Sequence, residues 1–352
     1  MKVGLIARAE DRGLGILTWE FHRHVQPERT LVINMGSAAR GFQPHPERYP
    51  GAVTVAYNDG NLDEQVVRDW LQGLDVVFSA ETFYDWRVVQ WAREAGVATV
   101  CQSMPEFYRH WDDPSLPDPD AWWVPTPWLI DRLPARTRLV PVPVALDRWP
   151  ECDIGGNEIT ADVTRMVHVA GHRAMGDRNG TTEVLASLHY LAGPLELRIV
   201  TQDRRLPSHR GSRRGVAVTR QLAGVTNYWD LYADTDVLVL PRRYGGLCLP
   251  VQEAMGAGLA VVMTDAEPQR SFWPVVGVPS RERGGLQTGG GLIPLVTADA
   301  PALARALDLL ANNPAELAAR RQASRDWARA HSWAELLPTY LEELAMVCEV
   351  RT

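Results

Sequence analysis

The residues best suited to chemistry lie together in one stretch, Val237-Leu-Val-Leu-Pro-Arg-Arg-Tyr-Gly-Gly-Leu-Cys-Leu-Pro-Val-Gln-Glu253-Ala-Met-Gly-Ala-Gly-Leu-Ala-Val-Val-Met-Thr264. It reads as a buried strand, a glycine-rich turn, a helix opened by Pro250, a stop at Gly256 and Gly258, and a second buried strand. The turn offers the N–H groups of Gly245, Gly246, Leu247 and Cys248, which with the helix N-terminus can hold an anion. Glu253 falls about one turn into that helix, where a carboxylate can accept two hydrogen bonds from a ribose diol. On these residues alone two readings stand side by side: a nucleotide-binding turn, and a purely structural strand–helix–strand unit.

Lys2 is the only lysine, so nearly all positive charge is arginine. A Walker A loop needs Gly-Lys-Ser/Thr and a pyridoxal-phosphate enzyme needs an active-site lysine, so both are excluded. A phosphate clamp must then use arginine, backbone N–H groups or a helix N-terminus. The histidines show no metal-ligand spacing shared with acids, and His168 falls in a strand that should be buried. Asp234-Thr-Asp236 is compatible with metal binding, but it leads into a strand rather than following one. After the strand Val3–Ala7, Gly13 and Gly15 form a strand–helix turn that lacks the third glycine of the dinucleotide fingerprint. Glu81 and Asp85 follow the strand Val76–Phe78 and are candidates to orient an acceptor hydroxyl, or else solvated loop acids. Phe107, Tyr108, Trp111, Trp122, Trp123 and Trp128 could stack on a sugar or base, with core packing as the alternative.

These residues must be positioned by a chain of 352 residues, long enough for two domains, with 45% hydrophobic and 22% charged residues. Strand-like runs alternate with helical patterns from Val3 to Val142 and again from Arg165 onward, the signature of parallel sheets wrapped by helices. Helices are expected at Ile16–Val25, Asp63–Leu71, Trp86–Ala95, Trp128–Leu133, Gly180–Leu191, Thr226–Ala233, Pro250–Ala257, Ala300–Asn312, Pro314–His331 and Ala334–Val347. Pro141, Pro143, Pro150 and the Gly155-Gly156-Asn157 turn mark a linker. The domains expected are 1–147, a linker 148–160, 161–332, and a terminal helix 333–352. Cys101, Cys152, Cys248 and Cys348 have neither zinc nor disulfide spacing. A net charge of -7 argues against a broad nucleic-acid-binding field. With no long apolar run and no signal-like N-terminus, a cytoplasmic protein without a membrane span is expected.

The stretch from Pro241 also resembles the donor-site signature of retaining GT-B glycosyltransferases of group 1 (family 4-like), typically Pro-Ser-x-x-Glu-Gly-Phe-Gly-Leu-Pro-x-x-Glu-Ala-Met-Ala-x-Gly-x-Pro-Val-Val. Glu253 matches the second glutamate, which in that family binds the nucleotide ribose, and the first, sugar-contacting glutamate falls on Gly245. Ala170-Gly-His-Arg173 with Asp177-Arg178-Asn179-Gly180-Thr181 resembles the Gly-Arg…Lys-Gly element. Arg173 fits its arginine, Asn179 falls at its lysine, and Arg178 lies one residue before. The resemblance implies an α/β fold of GT-B type, two Rossmann-like domains facing across a cleft, with acceptor binding in the first and a nucleotide-sugar donor in the second. It implies glycosyl transfer from a nucleoside-diphosphate sugar to an acceptor hydroxyl with retention. Arg173 and Arg178 would stabilise the diphosphate, and no cofactor or obligatory metal would be needed. Two alternatives remain open: a non-catalytic nucleotide-sugar-binding homologue, permitted by Gly245, and a transferase acting on modified nucleic acid through Arg204, Arg205, Arg210, Arg213 and Arg214.

Overall fold

The computed structural model describes residues 1–36, 44–108, 110, 113–149, 163–171, 176–203, 211–213 (backbone only), 216–222, 225, 227–288 and 291–349. The chain divides into two compact units, Met1–Pro143 with Gln287–Gly291 and Trp333–Thr352, and Val144–Leu286 with Leu292–Ser332.

In the first unit, seven strands form one sheet: β1 (Val3–Ala7), β2 (Arg29–Asn34), β3 (Val53–Ala56), β4 (Val76–Ala80), β5 (Ala98–Gln102), β6 (Ala121–Val124) and β7 (Arg138–Leu139). Their order is β3-β2-β1-β4-β5-β6-β7, with every pair parallel. Helices α1 (Gly13–Val25), α2 (Glu64–Leu71) and α3 (Arg87–Glu94) make the crossovers. Strands β1, β4 and β5 are buried along their whole length, as their predominantly apolar sequences require when both faces are covered, and the buried Ser79, Thr99 and Gln102 side chains are hydrogen-bonded. Ile6 and Val77 face one core. On β4 the next residue, Phe78, stacks on Phe21 of α1 at 4.2 Å, with Tyr340 of the C-terminal helix Trp333–Glu349 edge-on to Phe21. Strand β7 stops short of the expected Val142, as Pro141 and Pro143 have no N–H for a ladder.

The second unit repeats the design. Strands β8 (Thr164–Gly171), β9 (Leu195–Thr201), β10 (Gly211–Arg213), β11 (Val216–Leu222), β12 (Val237–Leu240), β13 (Ala260–Thr264) and β14 (Val276–Val278) form a sheet ordered β10-β11-β9-β8-β12-β13-β14, in which β10 alone is antiparallel. Helices α4 (Thr181–Ser187), α5 (Leu249–Gly256), α6 (Gln269–Phe272), α7 (Ala300–Asn312) and α8 (Pro314–Ala330) flank it. Val237 and Val239 enter one core while Leu238 and Leu240 enter the other, the period-2 alternation of a strand buried on both sides. Asp299 and Asn313 cap α7 and α8 by accepting from Ala302 N and Glu316 N, each followed by proline in the first turn.

Several expected elements are corrected. Thr226–Ala233 is not an α-helix; its described part holds a 3-10 turn, Tyr228–Tyr232. Trp128–Leu133 contains only the 3-10 turn Ile130–Arg132, entered through Leu129 at φ 56°. The first packs Tyr228 and Tyr232 edge-on against Trp149, and in the second the left-handed backbone at Leu129 interrupts a right-handed helix. The apolar run Leu292–Pro294 does form a strand, within β16 (Gly291–Ala298), but it pairs with β15 (Ser280–Thr288) in a separate two-stranded sheet, because β14 holds the edge beside β13. No helix among the described residues is long and apolar enough to cross a membrane.

Candidate donor and acceptor sites

In each sheet the strand order reverses at its centre, between β1 and β4 in the first unit and between β8 and β12 in the second. Such a switch point opens a crevice at the carboxyl ends of the strands.

In the second unit the crevice is built from the loops after β8 and β12. The Gly245–Cys248 turn follows β12 and is buried throughout, and Cys248 is the N-cap of α5, with Pro250 second in the helix. The amides of Gly245, Leu247 and Cys248 meet no acceptor among the described residues. Buried amides are nearly always paired, so a cluster without partners marks a place for a ligand acceptor. Gly245 has φ 118°, a conformation that side chains rarely adopt, so the turn itself requires glycine there. One turn into α5, Glu253 is buried, and the Tyr232 hydroxyl donates to its Oε2 at 2.5 Å. Burial, and then the Glu253 charge, push the Tyr232 phenol well above its ordinary pKa and keep it a donor.

Arg178 reaches the same turn. Its Nε donates to the Tyr244 carbonyl at 3.4 Å and its guanidinium lies 5.1 Å over the Tyr244 ring. Beside it, Asp177 caps α4, accepting from Thr181 N at 3.0 Å and Thr182 N at 2.9 Å. Burial raises the Asp177 pKa, but the hydrogen bonds from Thr182, the Arg243 charge and the Thr181 amide together hold it below the usual range. Gly180 has φ 71°, and a Cβ there would lie 2.1 Å from the Pro241 carbonyl oxygen, so glycine lets α4 start against the β12 loop. Arg243 joins the two loops through Glu183, with Nη2 to Oε1 at 2.6 Å. Arg173, Arg204, Arg205, Arg210 and Arg214 lie outside the described residues, as do Trp111 and Cys152.

Asp236 is structural: its carboxylate accepts from Arg165 N at 3.0 Å and Arg321 Nη1 at 3.1 Å, tying the start of β12 to β8 and α8. No cluster of three or more His, Cys, Asp or Glu suited to a metal occurs among the described residues. His168 is fully buried, with Nδ1 on the Val239 carbonyl at 2.7 Å and Nε2 on Thr181 Oγ1 at 2.9 Å. Burial lowers its pKa to about 4, so it is neutral, donating through Nδ1 and accepting through Nε2.

In the first unit, Gly13 begins α1, and a Cβ on Gly15 would lie 2.1 Å from the Glu10 carbonyl oxygen, so the helix starts tight against its loop. Glu81 and Tyr84 follow β4 at φ 69° and 66°, sparsely populated conformations for residues with side chains. The turn is fixed by Ser79 Oγ on the Thr82 carbonyl at 2.6 Å and by Asp85, which accepts from Leu62 N at 3.0 Å and Arg87 Nη2 at 2.7 Å. Burial raises the Asp85 pKa, but these hydrogen bonds, Arg87 foremost, keep it below the carboxylate range. Asp85 therefore shapes the turn that presents Glu81. Trp122, Trp123 and Trp128 are buried, in keeping with core packing.

Arg178 thus meets the Gly245–Cys248 turn through Tyr244, with Glu253 one turn into the helix that follows, and Gly13, Gly15, Glu81 and Asp85 follow the two strands that flank the other unit's switch point. Tyr232, which donates to the Glu253 carboxylate, is not indicated by the sequence motifs. The available signal was a tyrosine in the approach to β12.

A family profile described as Glycosyl transferases group 1 matches residues 177–313. No curated protein matches the chain. Among solved structures, a glycosyltransferase from Rickettsia africae ESF-5 is similar at TM-score 0.65 and 11% identity, covering 98% of each chain. HepE of Anabaena in complex with UDP and glucose matches at TM-score 0.65 and 10% identity, covering 98% of this chain and 100% of that one. Sucrose-phosphate synthase of Thermosynechococcus elongatus matches at 0.64 and 13%, covering 99% and 100%. The fold is therefore that of the GT-B glycosyltransferases, two Rossmann-like parallel-sheet units, and residues 177–313 are similar to the group 1 glycosyltransferase profile.

Proposed function

We propose that this protein transfers a glycosyl group from a nucleoside-diphosphate sugar to an acceptor hydroxyl in the cytoplasm, with retention and without a cofactor or an obligatory metal. The observation that carries the proposal is the buried turn after β12, whose Gly245, Leu247 and Cys248 amides have no acceptor among the described residues and which leads into the helix bearing Glu253. The amides supply preorganised donors for the charge that develops on the leaving diphosphate. Arg173 and Arg178 add positive charge, and Glu253 accepts from the ribose hydroxyls. The UDP bound by HepE supports uridine as the first nucleotide to try. Glu81 would orient the acceptor, with Asp85 holding its turn.

A panel of UDP-, GDP-, ADP- and TDP-sugars, assayed for binding, slow hydrolysis and transfer with a metal chelator present, tests this reading. One nucleotide series should bind and turn over. Binding without turnover on any donor would instead mark a non-catalytic homologue, and no binding at all would refute the donor site.

A further inference from the structure

The turn after β12 carries a second feature, a buried guanidinium. Arg242 is 4% exposed, its Nε donates to the Tyr244 carbonyl at 2.8 Å, and its Nη2 donates to the Leu247 carbonyl. Its own carbonyl accepts from the Thr264 hydroxyl, which anchors the residue to β13. A single planar fork therefore grips both ends of the glycine turn. Such charge-assisted bonds are about twice as strong as neutral ones, and a guanidinium, unlike an ammonium, presents its N–H groups at fixed angles.

The consequence follows from the planarity of the peptide bond. In a trans peptide the C=O of one residue and the N–H of the next point in opposite directions. The cis bonds among the described residues precede Pro194 and Pro268, so the 244–245 and 247–248 peptides are trans. Drawing the Tyr244 and Leu247 carbonyls toward Arg242 therefore turns the Gly245 and Cys248 N–H groups away from it. These are two of the amides that lack an acceptor among the described residues.

We infer that Arg242 is a positioning residue that aims the Gly245 and Cys248 amides at the diphosphate of the donor. It acts through the carbonyls it holds and does not itself touch the ligand. The inference rests on the donor-site reading above and specifies how this chain builds that site.

The test takes the nucleoside diphosphate that the wild-type protein binds most tightly among UDP, GDP, ADP and TDP, together with its parent nucleoside. Binding is measured by calorimetry for the wild type, Arg242→Lys and Arg242→Gln, with circular dichroism and melting temperature as controls for folding. Both variants should bind the diphosphate about 10- to 100-fold more weakly, while nucleoside affinity changes less than about twofold. Lysine keeps the charge but not the fork, so diphosphate affinity retained in Arg242→Lys would show that charge alone matters and overturn the proposal. An equal loss for nucleoside and diphosphate would overturn it too, as a general structural defect. If neither variant folds, amide exchange in the wild type decides: the diphosphate should slow exchange at Gly245 and Cys248, and protection at neither refutes the role. A wild-type protein that binds none of the four diphosphates would instead bring down the donor-site reading itself.

Discussion

Glu253 lies in a partnership with Tyr232 that the ring packing does not require. Tyr232 is buried in the core below α5, so Tyr232→Phe removes one hydroxyl and leaves the packing in place. If the hydroxyl holds the carboxylate for a ribose, this variant should bind the nucleoside diphosphate about 3- to 10-fold more weakly, the scale of one lost hydrogen bond. Glu253→Ala should cost about 1–3 kcal/mol of binding by leaving the ribose hydroxyls unpaired. The double variant should bind no more weakly than Glu253→Ala alone, since the two residues act as a unit. Additive losses in a calorimetric cycle would separate them. Gly245 belongs to the same scale: at φ 118°, a glutamate there would strain the turn before it touched any sugar, so Gly245→Glu would test backbone strain before donor chemistry.

At the scale of elements, His168 fastens three pieces of the second unit, joining β8 to β12 through Val239 and to α4 through Thr181. Its pKa falls from 6.5 to about 4 on burial, so the unfolded chain binds the extra proton first as pH drops. The contribution is complete above about pH 6.5 and is lost as pH falls through about 4, amounting to roughly 3 kcal/mol. His168→Gln should therefore be less stable at pH 7 yet show a shallower decline in melting temperature between pH 7 and 4. An acid slope equal to that of the wild type would remove His168 as its source. The consequence reaches the site because Asp177 and Gly180, at the start of α4, pack where Arg178 meets the β12 loop.

At the scale of the molecule, the C-terminal helix Trp333–Glu349 belongs to the first unit although it follows the second in sequence. Gln102 Nε2 donates to the Tyr340 hydroxyl at 3.1 Å, Tyr340 donates to the Pro141 carbonyl at 3.0 Å, and Leu344 is fully buried. Deletion after Ser332 should therefore destabilise the first unit. Limited proteolysis would then cut within residues 1–143 while 163–331 stays protected, and equal resistance of both units would contradict this packing. What the sequence alone determined is local: the apolar strands, the glycine turn between β12 and α5, the helices from Ala300 and from Pro314, and Glu253 one turn into its helix. Each follows from neighbours within a few residues, where propensity and turn chemistry act. Only the tertiary structure decided the remainder: that β14 rather than β16 completes the sheet, that the last helix returns to the first unit, and that Tyr228–Tyr232 stays a 3-10 turn. It also decided that a hydroxyl 21 residues away orients Glu253 and that Arg242 is buried with its fork on the turn. The physical reason is the same in each case, since such contacts join segments distant in the chain and depend on what else competes for the same edge, face or hydrogen bond.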